Sequence, residues 1–165
     1  MALLRDGRVV ADPFTGIAAD EPLPAGPVIV GLARFQAERD VLLARGTPLG
    51  VRLASDQHPQ AIAADLGRLA VVALEFPKFR DGRAYTYARL LRERYGYTGE
   101  LRAVGDVLQE QLTFMRRCGF DSFELKAADP AAAWAAVAGD HTAFYQGTGA
   151  SPDFAWRQRH RAGRG

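Results

Sequence analysis

The sequence predicts an α/β protein of about five βα units. Their parallel sheet is expected to be polar on one concave face, in the manner of a partial (β/α) barrel. Two observations carry this expectation. From Pro27 onward, apolar strand-like runs alternate with helically periodic segments, recurring every ~25 residues. Five of the strand-like runs also carry a charged residue near their far ends: Arg34, Arg52, Glu75, Arg102 and Glu124. Strands buried on both faces read as unbroken apolar runs, and a buried charge is costly without a partner. Charges of mixed sign at corresponding positions therefore predict a single polar face on which they pair.

The elements follow in order. Asp6-Gly7 between the arms LLR and RVV predicts a two-residue hairpin, set apart as an N-terminal appendage over residues 1–25 with the connector that follows it. That connector, Asp12 to Pro27, holds four prolines and is expected to pack over the main sheet without joining it. PVIVGLARF (27–35) reads as the first core strand and AERDVLLARG (37–46) as a helix stopped by Gly46. PLGVRLAS (48–55) is the second strand, followed by a helix over 58–68, and LAVVALEF (69–76) is the third. The next helix spans 83–95, with Ala84, Ala88, Leu91 and Tyr95 on its apolar stripe.

GELRAVG (99–105) is the fourth strand. Asp106 and Gln109 then make a capping box for a helix over 107–118 that buries Leu108, Leu112, Met115 and Cys118. FDSFELKA (120–127) is the fifth strand. Asp129 as N-cap and Pro130 at the first helical position open a short Ala-rich helix closed by Gly139.

Side-chain parity sharpens the fold class. Val71, Ala73 and Glu75 share one side of the third strand, as do Glu100, Arg102 and Val104 on the fourth and Phe120, Ser122, Glu124 and Lys126 on the fifth. Their apolar alternates suit packing under helices. A curved sheet with helices only outside accommodates this division; a doubly wound three-layer sheet is the alternative. Full barrels need about 250 residues, so with 165 residues this barrel is incomplete. The hairpin, the C-terminal tail or a second subunit would close it.

Bulk properties bound the function. A 48% hydrophobic, 24% charged chain is an ordinary globular composition, and a single domain over 1–150 is expected. No apolar stretch is long enough to span a bilayer and the charged N-terminus leaves no room for a signal peptide, which predicts a cytoplasmic protein. The single Cys118 excludes an internal disulfide, and its place on an apolar helix face predicts an inert thiol. His58, His141 and His160 have no metal-ligand spacing, so no metal is expected. Of 21 basic residues against 19 acidic, four arginines fall in RQRHRAGRG (157–165), so the basic balance belongs to a tail, 151–165, expected to be disordered. No G-x-G-x-x-G, Walker or G-x-S-x-G motif occurs, and no cofactor is expected.

The most loaded connection is FPKFRDGR (76–83), where Lys78, Arg80 and Arg83 cluster before a helix. With Arg34, Arg52 and Arg102 at the strand ends they form a candidate anion-binding set, since guanidinium groups match oxyanions bidentately. Phe79 could instead anchor a partner. Glu75 and Glu124 can act as acid and base or neutralise Arg52 and Arg102, and pairing is the preferred reading. Asp106 has a helix-capping role, with acid–base work as the minor alternative; Arg102 completes the catalytic candidates.

Residues 76–125 resemble a bacterial domain-of-unknown-function family (nine-three-four), often labelled an oxidoreductase of sulfite reduction. The likeness rests on FPKFRDGR, LRERYGYTGELRAVGD and MRRCGFD, and extends with the DG hairpin over about residues 3–147. The resemblance implies an accessory role in assimilatory sulfite reduction, with the sulfite reductase haemoprotein as partner and sulfite or sulfate as the oxyanion. Two alternatives stand beside it: an oxidoreductase of the same pathway using a partner-supplied cofactor, and a phosphate-handling barrel-type enzyme. A homodimer is also compatible with the chain.

Overall fold

Asp6 and Gly7 take left-handed backbone conformations, φ 49° and 77°. A two-residue hairpin turn that matches strand twist requires such angles, and the chain reverses where the sequence predicts. The hairpin strands are β1 (Ala2–Arg5) and β2 (Arg8–Val10). The computed structural model describes residues 2–77, 81–127 and 129–138.

After a two-residue strand β3 (Thr15–Gly16), the core strands are β4 (Val28–Gly31), β5 (Leu49–Leu53), β6 (Val71–Phe76), β7 (Glu100–Gly105) and β8 (Ser122–Leu125). Between them run α1 (Leu32–Ala37), α2 (Arg39–Ala44), a 3-10 helix (Pro59–Arg68) and α3 (Arg83–Arg89), which continues as a π segment (Leu90–Arg94). A 3-10 turn (Gln109–Gln111) leads into α4 (Leu112–Cys118), and α5 (Pro130–Ala138) follows β8.

All eight strands of the described residues form one sheet in the order β2-β1-β8-β7-β6-β5-β4-β3. From β3 to β8 the strands are parallel and follow one another without reversal. Unreversed right-handed crossovers place every connection on the same face. A doubly wound sheet needs a point where strand order turns back, and none occurs here, so the partial-barrel expectation holds. The alternating residues divide as predicted except for Phe120, which precedes β8 and packs in the main core instead of on the concave face. Val28, Val30, Val51, Leu53, Val72, Leu74, Phe76, Leu101, Ala103 and Phe123 join the helices' Phe35, Leu42, Ile62, Leu91, Leu112 and Met115 in the main core. A smaller cluster of Ile29, Val71, Ala73 and Val104 lies apart from it, on the concave face.

The connector departs from expectation. It does pack over the concave face, but Thr15–Gly16 also pairs with Val28–Ile29 and becomes the far edge of the sheet. The hairpin occupies the opposite edge, β1 pairing antiparallel with β8. Only residues 11–14 join these two edges. Laid flat, eight strands at about 4.8 Å spacing would separate them by roughly 33 Å, whereas the five residue steps from Val10 to Thr15 reach about 18 Å at most. The sheet is therefore curled into a half barrel, and residues 11–14 form a belt across its open side.

Four further readings are adjusted. The first core strand ends at Gly31, and Arg34 lies on α1, because Leu32 and Phe35, three apart, turn the same helical face into the core. Helix 58–68 is a 3-10 helix, and helix 83–95 changes register at Leu90. The fifth strand starts at Ser122, and Lys126 lies beyond its end. The helix closure at Gly139, His141, His160, the aromatic residues after 140 and the tail 151–165 fall outside the described residues. No described helix is long and apolar enough to cross a membrane.

At the end of β7, Gly105 (φ 92°) turns the chain so that the Asp106 N–H donates to the Phe76 carbonyl at 2.7 Å. A Cβ there would stand 2.5 Å from that same carbonyl oxygen, and backbone cannot swing aside as a side chain can. Gly105→Ala is expected to cost about 2 kcal/mol, read as a lower urea midpoint with an unchanged m-value.

Candidate functional site

The concave face is built around Arg102, which β7 holds with its side chain fully buried. A guanidinium out of water needs its charge matched and its donors satisfied. Asp12, from the belt, accepts from both terminal nitrogens, at 2.5 and 3.1 Å. Glu100, two residues before Arg102 on the same strand face, accepts from Nε at 2.9 Å. Glu124 on the neighbouring β8 stands 3.6 Å away. The Phe14 ring lies 5.7 Å from the guanidinium carbon, a cation–π distance. The same Asp12 carboxylate accepts from the Phe14 N–H at 3.0 Å, which shapes the belt locally. Glu100 also takes a hydrogen bond from Ser122 Oγ at 2.6 Å and pairs with Arg5 of the hairpin. One network thus ties the hairpin, the belt and two core strands to a single arginine.

Arg52 and Glu75 form a second group. Arg52 is opposite Ala73 in the β5–β6 register, which places Glu75 diagonally from it on the same face. The contact is bidentate, at 2.7 and 3.2 Å, but both side chains are partly exposed, so it contributes little to stability. Between belt and sheet lies a hollow of about 530 Å³, lined by Asp12, Ile17, Glu21, Arg52, Arg102 and Glu124 among others. Arg52, Arg102 and Glu124 therefore do converge, and Glu75 joins them through Arg52. Each described guanidinium lining the hollow has a carboxylate partner, and the lining carboxylates Asp12, Glu21 and Glu124 outnumber Arg52 and Arg102.

The other sequence candidates lie elsewhere. Arg34, on α1, donates to the Ala18 and Glu21 carbonyls at 2.7 Å each and to Glu38, fixing the connector. Arg83 binds its neighbour Asp81 at 2.7 and 3.0 Å and donates to Ser55 Oγ. The Arg83 guanidinium first, and the Ser55 hydroxyl second, hold the Asp81 carboxyl well below the usual carboxylate range. This contact is fully present above that range and is lost as pH falls toward Asp81's own lower value. Lys78, Phe79 and Arg80 lie outside the described residues.

Asp106 is not the helix cap. Gln111 Oε1 accepts from the Leu108 N–H instead, so the helical segment starts two residues later than the capping box implies. His58 caps the 3-10 helix through Nδ1, which accepts from the Gln60 N–H. Cys118 is buried on α4, and burial pushes its thiol up to about 11. Among the described residues no group of three or more His, Cys, Asp or Glu is placed to hold a metal ion.

Sequence reasoning missed Asp12, Phe14 and Glu100. The first two come from a Pro-rich connector whose composition signals only a loop. Glu100 shares the parity of Arg102, a signal that was present but pointed to the face and not to a partner.

The fold and site define a class: a half-barrel α/β protein whose concave face is an ion-paired network under an N-terminal belt. A family model described as "Bacterial protein of unknown function (DUF934)" matches residues 50–156. The chain belongs to this family. No curated protein matches it.

Asp12→Ala leaves Arg102 buried without its bidentate partner. Losing one member of a buried pair costs 3–5 kcal/mol in general; here Glu100 and Glu124 remain, and about 2 kcal/mol is expected. Arg52→Gln, in the exposed pair, is expected to cost less than about 0.5 kcal/mol. Urea unfolding of both variants checks the contrast. Native Cys118 is expected to resist a disulfide-exchange reagent at mildly alkaline pH and to react at once on unfolding, followed by release of the coloured thiolate.

Proposed function

We propose that this protein is a cytoplasmic accessory factor of assimilatory sulfite reduction that acts by docking on the sulfite-reducing haemoprotein. The pathway comes from the family resemblance described above. The choice of docking over ligand turnover rests on one observation: the described charges of the hollow already neutralise one another. A small oxyanion entering there would compete with Asp12 for Arg102 and with Glu75 for Arg52, in a setting where carboxylates are in excess. Carboxylates engaged with guanidinium groups also have those oxygens occupied, which leaves them poorly placed to take a proton from a substrate. Oxyanion binding and acid–base chemistry therefore draw less support from the hollow than a structural role does. That leaves the outer surface as the working part of the protein.

A deletion strain tests the pathway. It is expected to grow slowly with sulfate or sulfite as sole sulfur source and normally with sulfide or cysteine. Normal growth on sulfate would overturn the proposal. The purified chain is further expected to co-purify with the haemoprotein when the two are expressed together.

A further inference from the structure

The helical face, on the other side of the sheet from the hollow, carries a second concavity of about 380 Å³ between α3 with its π segment and α4. Tyr85, Leu90, Arg94, Phe114 and Cys118 are among its lining residues. Phe114 is 49% exposed, a large apolar side chain left in water. Its ring lies 4.9 Å from that of Tyr85, and Tyr85 lies 5.0 Å from Phe76 in the main core. Phe114 is thus the outer end of an aromatic column rooted in the sheet. A side chain held in this way has little rotamer freedom left to lose when a partner covers it.

The polar groups around this floor are incompletely used. The Tyr85 hydroxyl has no hydrogen-bond partner among the described residues, and burial pushes its pKa up to about 12, so it stays a neutral donor. Arg94 makes no ion pair or hydrogen bond among the described residues. Arg89 pairs with Glu93 at 3.3 Å on the exposed helix surface, a contact that is readily exchanged. The groove therefore combines an apolar floor, a free donor and a lip with an excess of positive charge.

We propose that this groove docks an acidic amphipathic helix of the partner protein. Two helices bordering a groove accept a third by ridge-into-groove packing. Apolar residues at i, i+3 and i+4 of the incoming helix would cover Phe114 and Leu90, and an acidic residue beside them would meet Arg94. A second copy of this chain fits less well, because a two-fold contact sets a surface against itself and would bring the basic lips together. The assignment rests on the docking reading above and locates it.

The experiment measures binding of the purified sulfite-reducing haemoprotein to immobilised full-length chain at low and high salt. Phe114→Asp is expected to weaken binding at least about thirtyfold. Arg94→Glu is expected to weaken it about tenfold at low salt and to flatten the salt dependence. Val41→Asp, at an exposed apolar position on α2 away from the groove, serves as the matched control and is expected to bind as wild type. Circular dichroism and unfolding midpoints establish that the variants fold. Wild-type affinity in both groove variants would overturn the groove assignment and leave the docking reading standing. No binding by the wild-type chain would overturn the docking reading, and the groove with it. A wild-type dimer in solution that Phe114→Asp dissolves would assign the groove to a second copy instead.

Discussion

Arg102 has no water to solvate it, and the concave face is arranged around that constraint. A guanidinium in this position is tolerable only if its donors are met from several directions. Glu100 comes from its own strand, Glu124 from the next, and Asp12 from a segment 90 residues away in sequence. The last of these does most for the architecture. Hydrophobic contact alone would hold the belt weakly, because the concave apolar cluster is small. A charged, directional anchor fixes where the belt crosses and the register in which it meets the sheet. The curl of the sheet, the position of both edge strands and the roof of the hollow all depend on that crossing.

The half barrel also explains why a polar network is found where a full barrel is packed with branched apolar side chains. Complete barrels supply apolar neighbours from strands opposite. Here the opposite wall is missing and a short stretch of chain takes its place, with Phe14 as its main apolar contribution. Ion pairs that water partly reaches, such as Arg52 with Glu75, suit the rim; the fully buried arginine sits under the belt. The division between rim and centre follows from solvent access and not from the identity of the residues.

Side-chain alternation made much of this legible in the sequence. Because period two is strict in a strand, Arg52, Glu75, Arg102 and Glu124 could be placed on one face, and their mixed signs implied pairing. The partner of Arg102 was not legible in this way. Asp12 reaches it through tertiary closure of a connector, and nothing in the local pattern distinguishes that aspartate from Asp20 a few residues later. Arg34 was misplaced because VIVGLARF satisfies a strand pattern and a strand-to-helix junction equally well; the burial of Leu32 with Phe35 decides it. Asp106 was misread because Asp-x-x-Gln satisfies the capping-box spacing, while Gly105 had already committed the following N–H to Phe76. In each case long-range packing overruled a valid local rule.

The pairing of β1 with β8 has a temporal side. Leu4 lies opposite Phe123, so β1 is synthesised well before the core strand it pairs with. At about 5–20 residues per second, synthesis of the intervening chain takes roughly 6–24 s. For that interval Leu3 and Leu4, buried in the finished molecule, have only the hairpin partner β2 beside them. The core units can assemble in sequence as they emerge. The hairpin must wait for them, and its docking on β8 completes the eight-stranded sheet.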